Sequence, residues 1–254
     1  MVNFLRNYRK SLLPGNRFTR YILYAIGEII LVVIGILIAL QVNNWNEARK
    51  NSQEETVILK NLQDNLIQAK EQSENYISSD EKLKKLLITV LNLDDKNLPL
   101  DSISDKTFYT ALWGIGPDTP IINTYTDLKN SDRLGLIKNQ QLREKFTDLE
   151  TSIAELKSML DDRLFVHQLR IDDIAENEVN FVRYLNSRLP DINMAEEPEN
   201  DYGSLLKKQR VRNLFAIKLY MTLQVLDLRK NLDNQIAQLE EAIQTELNLK
   251  AKSP

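Results

Sequence analysis

Hydrophobic and polar positions follow two regimes along this 254-residue chain. From Tyr21 to Val42 the run YILYAIGEIILVVIGILIALQV is apolar on every side of any helix it forms, with 14 Ile, Leu or Val among its 22 residues. Beyond it, apolar residues recur at steps of three and four, the pattern of amphipathic helices that bury one stripe. The first stripe holds Leu59, Leu62, Leu66 and Ala69, then Leu83, Leu87 and Val90, with polar Ser73 and Asp80 interrupting the register. It predicts one continuous helix ending near Asn92, although Ser78 with Glu81 also reads as a capping box that would start a new helix. A second stripe, Leu142, Phe146, Leu149, Ile153, Leu156, Leu160, Leu164, His167, Ile171 and Ile174, predicts a long helix capped by Asn139. A third runs Leu214, Ile217, Met221, Val225, Leu228, Leu232, Ile236, Leu239, Ile243 and Leu247, on an 11-residue period that predicts nearly straight packing.

Shorter features fill the gaps. Leu93–Ser102, Trp113–Pro120 and Asn186–Ser204 are rich in Asp, Asn, Gly or Pro and read as loops. A short helix is expected over Asp105–Trp113, another capped by Asn123 or Thr124 and running to Asn130, and a turn at Gly135. No segment has a strand period. The expected fold is all-α: a single N-terminal transmembrane helix followed by a long-helix antiparallel bundle. The expected parts are a basic leader (1–20), a transmembrane helix (21–42) that can run on into the first bundle helix, and a helical-bundle domain (43–254).

The apolar run is long enough for a bilayer. At about 1.5 Å per residue it covers roughly 33 Å. Its Ile, Leu and Val residues contribute about −0.3 to −0.6 kcal/mol each, roughly −6 kcal/mol in all, against about +3 kcal/mol for one central acid. Glu28 therefore does not prevent insertion. A cleavable signal peptide would have a shorter core and a small-residue site; Ala39 has no small partner two residues away, so an uncleaved anchor is expected. Glu28 shares a helix face with Gly35 and Ala39, and Gly35-x-x-x-Ala39 is a small-xxx-small pair that lets two backbones approach closely. These three residues are the candidate transmembrane association site. The other readings of Glu28 are a tolerated residue that snorkels or pairs with Tyr24, and a proton or ion relay, for which one span offers only this acid.

Charge then sets an orientation. The first 20 residues carry Arg6, Arg9, Lys10, Arg17 and Arg20 and no acid, leaving −8 for the rest of a chain whose net charge is −3. The positive-inside rule puts that leader in the cytoplasm and the body across the membrane, with Trp45 at the outer interface. The acidic body argues against nucleic acid as a partner. With no cysteine, disulfides, thiol catalysis and Cys-ligated metals are excluded.

The run RYILYAIGEIILVVIGILIALQVNNWNE, Arg20 to Glu47, closely resembles the N-terminus of a family of uncharacterised, membrane-anchored proteins of Gram-negative bacteria that carry a domain of unknown function. DLKNSDRLGLIKNQQLR, Asp127 to Arg143, is a second similarity, with glycine expected in that family where this chain has Asp132. The resemblance implies a single-pass inner-membrane protein with a periplasmic helical domain. It implies no activity and no site residues.

Candidate chemistry is sparse. Gly114 and Gly116 have the spacing of a phosphate loop, but no strand precedes them and no G-K-[ST] follows. His167, the only histidine, lies on the packing stripe; it is expected to be packed or interfacial rather than a base or a metal ligand, since the Glu-x-x-His position is Leu164. The pairs Asp172–Asp173 and Glu196–Glu197 could hold a cation or simply face solvent. No catalytic residue, cofactor or metal site is expected, and the chain is not expected to be an enzyme. The expected partners are the lipid bilayer and a second copy or another membrane protein. The first functional expectation is a binding or scaffolding module; the alternatives are a periplasmic ligand sensor acting through a partner subunit, which an aromatic-lined pocket would favour, and a carboxylate-based hydrolase, which two carboxylates facing across a cleft would favour.

Overall fold

A computed structural model describes residues 17–93, 99–116, 118–185, 189, 191 and 196–252. Arg6, Arg9 and Lys10 of the basic leader, and parts of the predicted loops (94–98, 117, 186–188, 190 and 192–195), lie outside the described residues. The described chain is all-α: α1 (Arg17–Val90), α2 (Asp105–Trp113), α3 (Asn123–Asn130), α4 (Gln140–Val166), a π-helical turn (His167–Ile171), α5 (Asp172–Asn177), α6 (Val182–Leu185), α7 (Tyr202–Lys207) and α8 (Gln209–Lys252), with 3-10 turns at Leu100–Ser102 and Leu134–Leu136. The chain divides into two compact units, Met1–Glu55 and Thr56–Pro254.

In the first unit the stretch Tyr21–Val42 exposes every one of its side chains, whatever its azimuth. It is long and apolar enough to cross a membrane by length and composition. Nothing lies within 4 Å of a Cβ built on Gly27 or Gly35. Trp45 is 67% exposed, with the Arg49 guanidinium 5.8 Å from its ring centre.

The second unit is built on α1, α4 and α8. Lys70 pairs with Asp233, Lys230 donates to Glu81 at 2.8 Å, and Gln63 donates to Gln244 at 2.6 Å, so α8 runs against α1. Asn139 donates to Glu246 at 2.7 Å while Lys208 donates to Glu178 at 2.6 Å, so α8 also runs against α4. Helices α1 and α4 therefore point the same way, and the connection through α2 and α3 returns along the bundle between them. Side chains of α1 hold that connection: Thr124 N–H donates to Asn65 Oδ1 (2.8 Å) and Ile121 N–H to Gln72 Oε1 (3.1 Å).

Most predicted elements stand. Helix α1 is continuous through Ser78–Asp80; Glu81 pairs with Lys84 and Lys230 instead of closing a capping box, and hydrogen bonds from these lysines hold its carboxyl down at about 2. Asn139 accepts from Gln141 and Leu142 N–H and caps α4 as expected. Four boundaries differ. The second long helix, predicted unbroken through Ile174, leaves the α-helical register at Val166 for the π-helical turn His167–Ile171. Asn123 opens α3 without capping it, because Asn65 takes that role from across the bundle. Leu100–Ser102 forms a 3-10 turn within a predicted loop, fixed by Ser102 Oγ donating to Pro99 O at 2.7 Å. The loop predicted to Ser204 ends earlier, where Asp201 accepts from Ser204 N–H and starts α7. Asp132 sits at φ 56°, in the left-handed region where a glycine would be unstrained.

Two hydrophobic clusters fill this unit. One is almost wholly aliphatic: Leu59, Leu62, Leu66, Leu149, Leu156, Leu232, Ile236, Leu239 and Ile243 around Phe146. The other is aromatic-rich, with Phe108, Tyr109, Tyr202 and Phe215 beside Leu83, Leu87, Ile171 and Ile174. Phe108 stacks on Tyr202 with ring centres 4.3 Å apart and meets Phe215 edge-on at 5.4 Å.

Candidate functional site

A layer of charge lies between these clusters. On each long helix the apolar stripe is interrupted at the same level: Ser73 and Asp80 on α1, Arg163 at the end of α4 with His167 beyond it, and Lys218, Thr222 and Arg229 on α8, all buried. Asp80 is fully buried. Its Oδ1 accepts from Arg163 Nη1 at 2.9 Å and its Oδ2 from Arg229 Nε at 2.7 Å. The remaining guanidinium donors reach the returning connection, Arg163 Nη2 to Gly116 O and Arg229 Nη1 to Asp118 O, each at 3.0 Å. Arg229 also lies over the Tyr76 ring at 5.0 Å. A Cβ at Gly116 would stand 2.5 Å from Asp80 Oδ1, so only glycine lets the connection approach this carboxylate. The Gly114/Gly116 spacing thus serves a close backbone approach.

One carboxylate between two guanidinium groups leaves excess positive charge, and the neighbouring bases respond. Lys218 donates to Leu112 O at the C-terminal end of α2, where the helix leaves carbonyls unpaired. Burial, then the Arg163 charge, pushes its ammonium down to about 7. His167 is 5% exposed, and burial followed by the Lys218 and Arg163 charges pushes it down to about 4, so the ring is neutral at pH 7. His167 is packed, as its place on the stripe predicts; its Nδ1 is buried without a hydrogen-bond partner among the described residues.

The His167 ring meets Trp113 edge-on, with centres 5.6 Å apart. Trp113 opens onto a hollow of about 470 Å³ lined by Trp113, Asp172, Ala175, Glu176, Val179, Asn180, Phe181 and Val182. Trp113 is 44% exposed, and its ring centre lies 5.7 Å from that of Phe181. The π-turn places Asp172 here; π-turns recur at functional sites because the extra residue re-aims the helix face. Asp172 and Asp173 do not act as a pair. Asp173 turns to Arg210 and Asn177, and its carboxyl is held down chiefly by the Arg210 hydrogen bond. Asp172 approaches His167 Nε2 at 3.5 Å, and its buried Oδ1 has no hydrogen-bond partner among the described residues. Glu196–Glu197 also separates: Glu197 accepts from Asn180 Nδ2 at 2.9 Å, while Glu196 is exposed.

The wall carrying Asn180 and Phe181 is fixed from below. Tyr109 Oη donates to Asn180 O at 2.7 Å, Asn180 N–H donates to Asn200 Oδ1 at 2.7 Å, and Asp105 accepts from Tyr202, Asn200 and Arg183. Burial, then the Asp105 hydrogen bond, pushes the Tyr202 phenol up. A second hollow, about 360 Å³, lies over the stacked Tyr125–Phe146 pair (4.7 Å) and is rimmed by Lys129 and Glu150. Among the described residues no group of three or more His, Asp or Glu is arranged to hold a metal ion.

The predicted association residues Glu28, Gly35 and Ala39 are all exposed, in the first unit. The residues that sequence reasoning missed are Asp80, Arg163, Lys218 and Arg229. The only local signal was that Asp80 falls on a stripe position, two heptads after Leu66.

The architecture is thus that of an all-α protein with one long apolar N-terminal helical stretch and a helical bundle. Residues 28–113 match the model of a family described as "Family of unknown function (DUF6090)". That match spans Glu28, Gly35, Ala39, Asp80 and Trp113, and ends before Arg163, His167 and the α8 partners. No curated protein and no solved structure matches the chain.

Proposed function

We propose that this chain is a single-pass inner-membrane protein whose bundle, on the periplasmic side, is a binding or scaffolding module. The carrying observation is the stretch Tyr21–Val42, which presents apolar side chains around its full circumference. An exposed apolar surface of that extent is stable in lipid and unfavourable in water. The basic leader supports a cytoplasmic N-terminus. Binding rather than catalysis is supported by how the carboxylates are used: Asp80, Glu81, Asp105 and Asp173 are each engaged by basic side chains. Within the membrane, Glu28, Gly35 and Ala39 form the contact with a second copy. Close approach at Gly35 supplies most of it, since an intramembrane polar contact contributes about 0.6 kcal/mol on average.

Protease added to spheroplasts is expected to degrade the bundle and leave a membrane-embedded fragment; a protected bundle would overturn the orientation. Crosslinking of the full chain in membranes should capture a dimer that Gly35→Ile weakens strongly and Glu28→Leu modestly. Unchanged crosslinking in both variants would remove this face as a self-association surface. A second reading, a ligand sensor, is favoured by the aromatic-walled hollow at Trp113, the kind of concave site that small ligands use.

A further inference from the structure

We propose that the hollow between Trp113, Phe181 and helix α5 binds a small organic ammonium compound, held over the aromatic rings and against the carboxylates of Asp172 and Glu176. The inference rests on the ligand-binding reading of this hollow. Its volume, about 470 Å³, suits a small molecule. Its walls are chemically one-sided. Trp113 and Phe181 supply adjacent aromatic faces, whose negative quadrupole attracts cations, indole most strongly. Asp172 and Glu176, four residues apart on one helix, supply negative charge on one wall.

Among the described residues no lysine or arginine makes a direct ion pair with either carboxylate; Lys218 feels the Asp172 charge only from beyond contact distance. Among the described residues the only basic group at contact distance from Asp172 is His167, neutral at pH 7, and Glu176 is exposed. The cations behind this wall are already committed, Arg163 to Asp80 and Gly116 O, and Lys218 to Leu112 O. The rest of the surface around α5 differs: Asp173 and Glu178 are taken by Arg210 and Lys208. The carboxylates that no lysine or arginine contacts are thus the ones that line the hollow beside the aromatic rings. An anionic ligand would meet two carboxylates, and a purely apolar one would bury them unpaired, at a cost.

The test uses the full chain in detergent or nanodiscs with Trp45→Phe, which leaves Trp113 as the sole tryptophan of the two in the sequence. Choline is titrated against Trp113 fluorescence, beside its neutral isostere 3,3-dimethylbutanol. Saturable quenching by choline, with the isostere at least about tenfold weaker, is expected; one cation–π contact with a desolvated cation accounts for a factor of that order. Asp172→Asn and Glu176→Gln should each weaken choline binding several-fold while leaving the circular dichroism spectrum unchanged. Equal affinity for the isostere would overturn the ammonium class but leave the hollow a ligand site. No saturable response to either compound would overturn both. Choline binding unaffected by both carboxylate variants would place the ligand elsewhere and overturn the proposal.

Discussion

The aliphatic and aromatic ends of the bundle are built from the same three long helices yet obey different rules. At the aliphatic end each helix buries what its 3,4 pattern designates: Leu59, Leu62, Leu66 and Ala69 meet Leu142, Phe146 and Leu149, and Leu232, Ile236, Leu239 and Ile243. At the aromatic end the long helices contribute less. The core there draws on α2, α7 and the segment around Asn180, where large rings carry burial and hydroxyls need partners. Periodicity describes a core only where long helices face one another. Where short elements close the end, ring packing and hydrogen bonds replace it, and it is there that a hollow remains.

The Asp80 layer divides the two ends, and removing its carboxylate should have the largest effect. Asp80→Ala leaves Arg163 and Arg229 buried without a counter-charge, so urea denaturation should show a loss of about 3–5 kcal/mol. A loss below about 1 kcal/mol would mean that water reaches the layer. Next come cavity variants at the two ends. Leu62→Ala should cost about 2–5 kcal/mol and Phe108→Ala about 3–5 kcal/mol. The residues lie in separate clusters, so the double variant should be additive within about 0.5 kcal/mol. Strong coupling would show that the layer does not insulate one end from the other.

A third measurement probes the layer through pH. Lys218 binds its proton with a pKa of about 7 when folded, against 10.5 for a free lysine, so between these values the unfolded chain holds a proton that the folded chain lacks. Stability should therefore rise with pH across that window and be lost as pH falls through about 7. His167 acts with the same sign between about 4 and 6.5. Melting temperatures across pH should show a shallower alkaline slope in Lys218→Met and a shallower acid slope in His167→Gln. An unaltered alkaline profile in Lys218→Met would mean that this amine is hydrated. The smallest effect is expected at the rim of the aliphatic end, where Asp132→Gly relieves a left-handed backbone and should raise stability by up to about 1 kcal/mol.

The same contrast explains what was legible in the sequence. The apolar stretch, the continuity of α1, the bounds of α2 and the Asn139 cap follow from local rules, since each depends on residues within a turn or two. On α8 the stripe holds from Val225 onward. Nearer the aromatic end it slips by one residue: Ile217 is 38% exposed while Lys218 is 4% exposed. Likewise Leu164 faces out and Arg163 faces in. A polar residue reads as outward-facing when it is considered alone. Asp80, Arg163 and Arg229 can be buried only because each neutralises or hydrogen-bonds another, and that information is spread over three helices far apart in the chain. The hollow was illegible for a related reason, as Trp113 and Phe181 come from different segments and only the fold makes them neighbours.

The Asp80 layer also decides which alignment of α8 against α1 the chain adopts. Aliphatic stripes alone tolerate sliding, because a leucine displaced by two turns meets another leucine. Moving α8 by seven residues in either direction would replace Arg229 with Thr222 or Ile236 opposite Asp80. The carboxylate would then lose one of its two guanidinium partners inside a low-dielectric interior, at a cost of several kcal/mol. A single charge, set where two otherwise interchangeable surfaces meet, turns a greasy track into a keyed one.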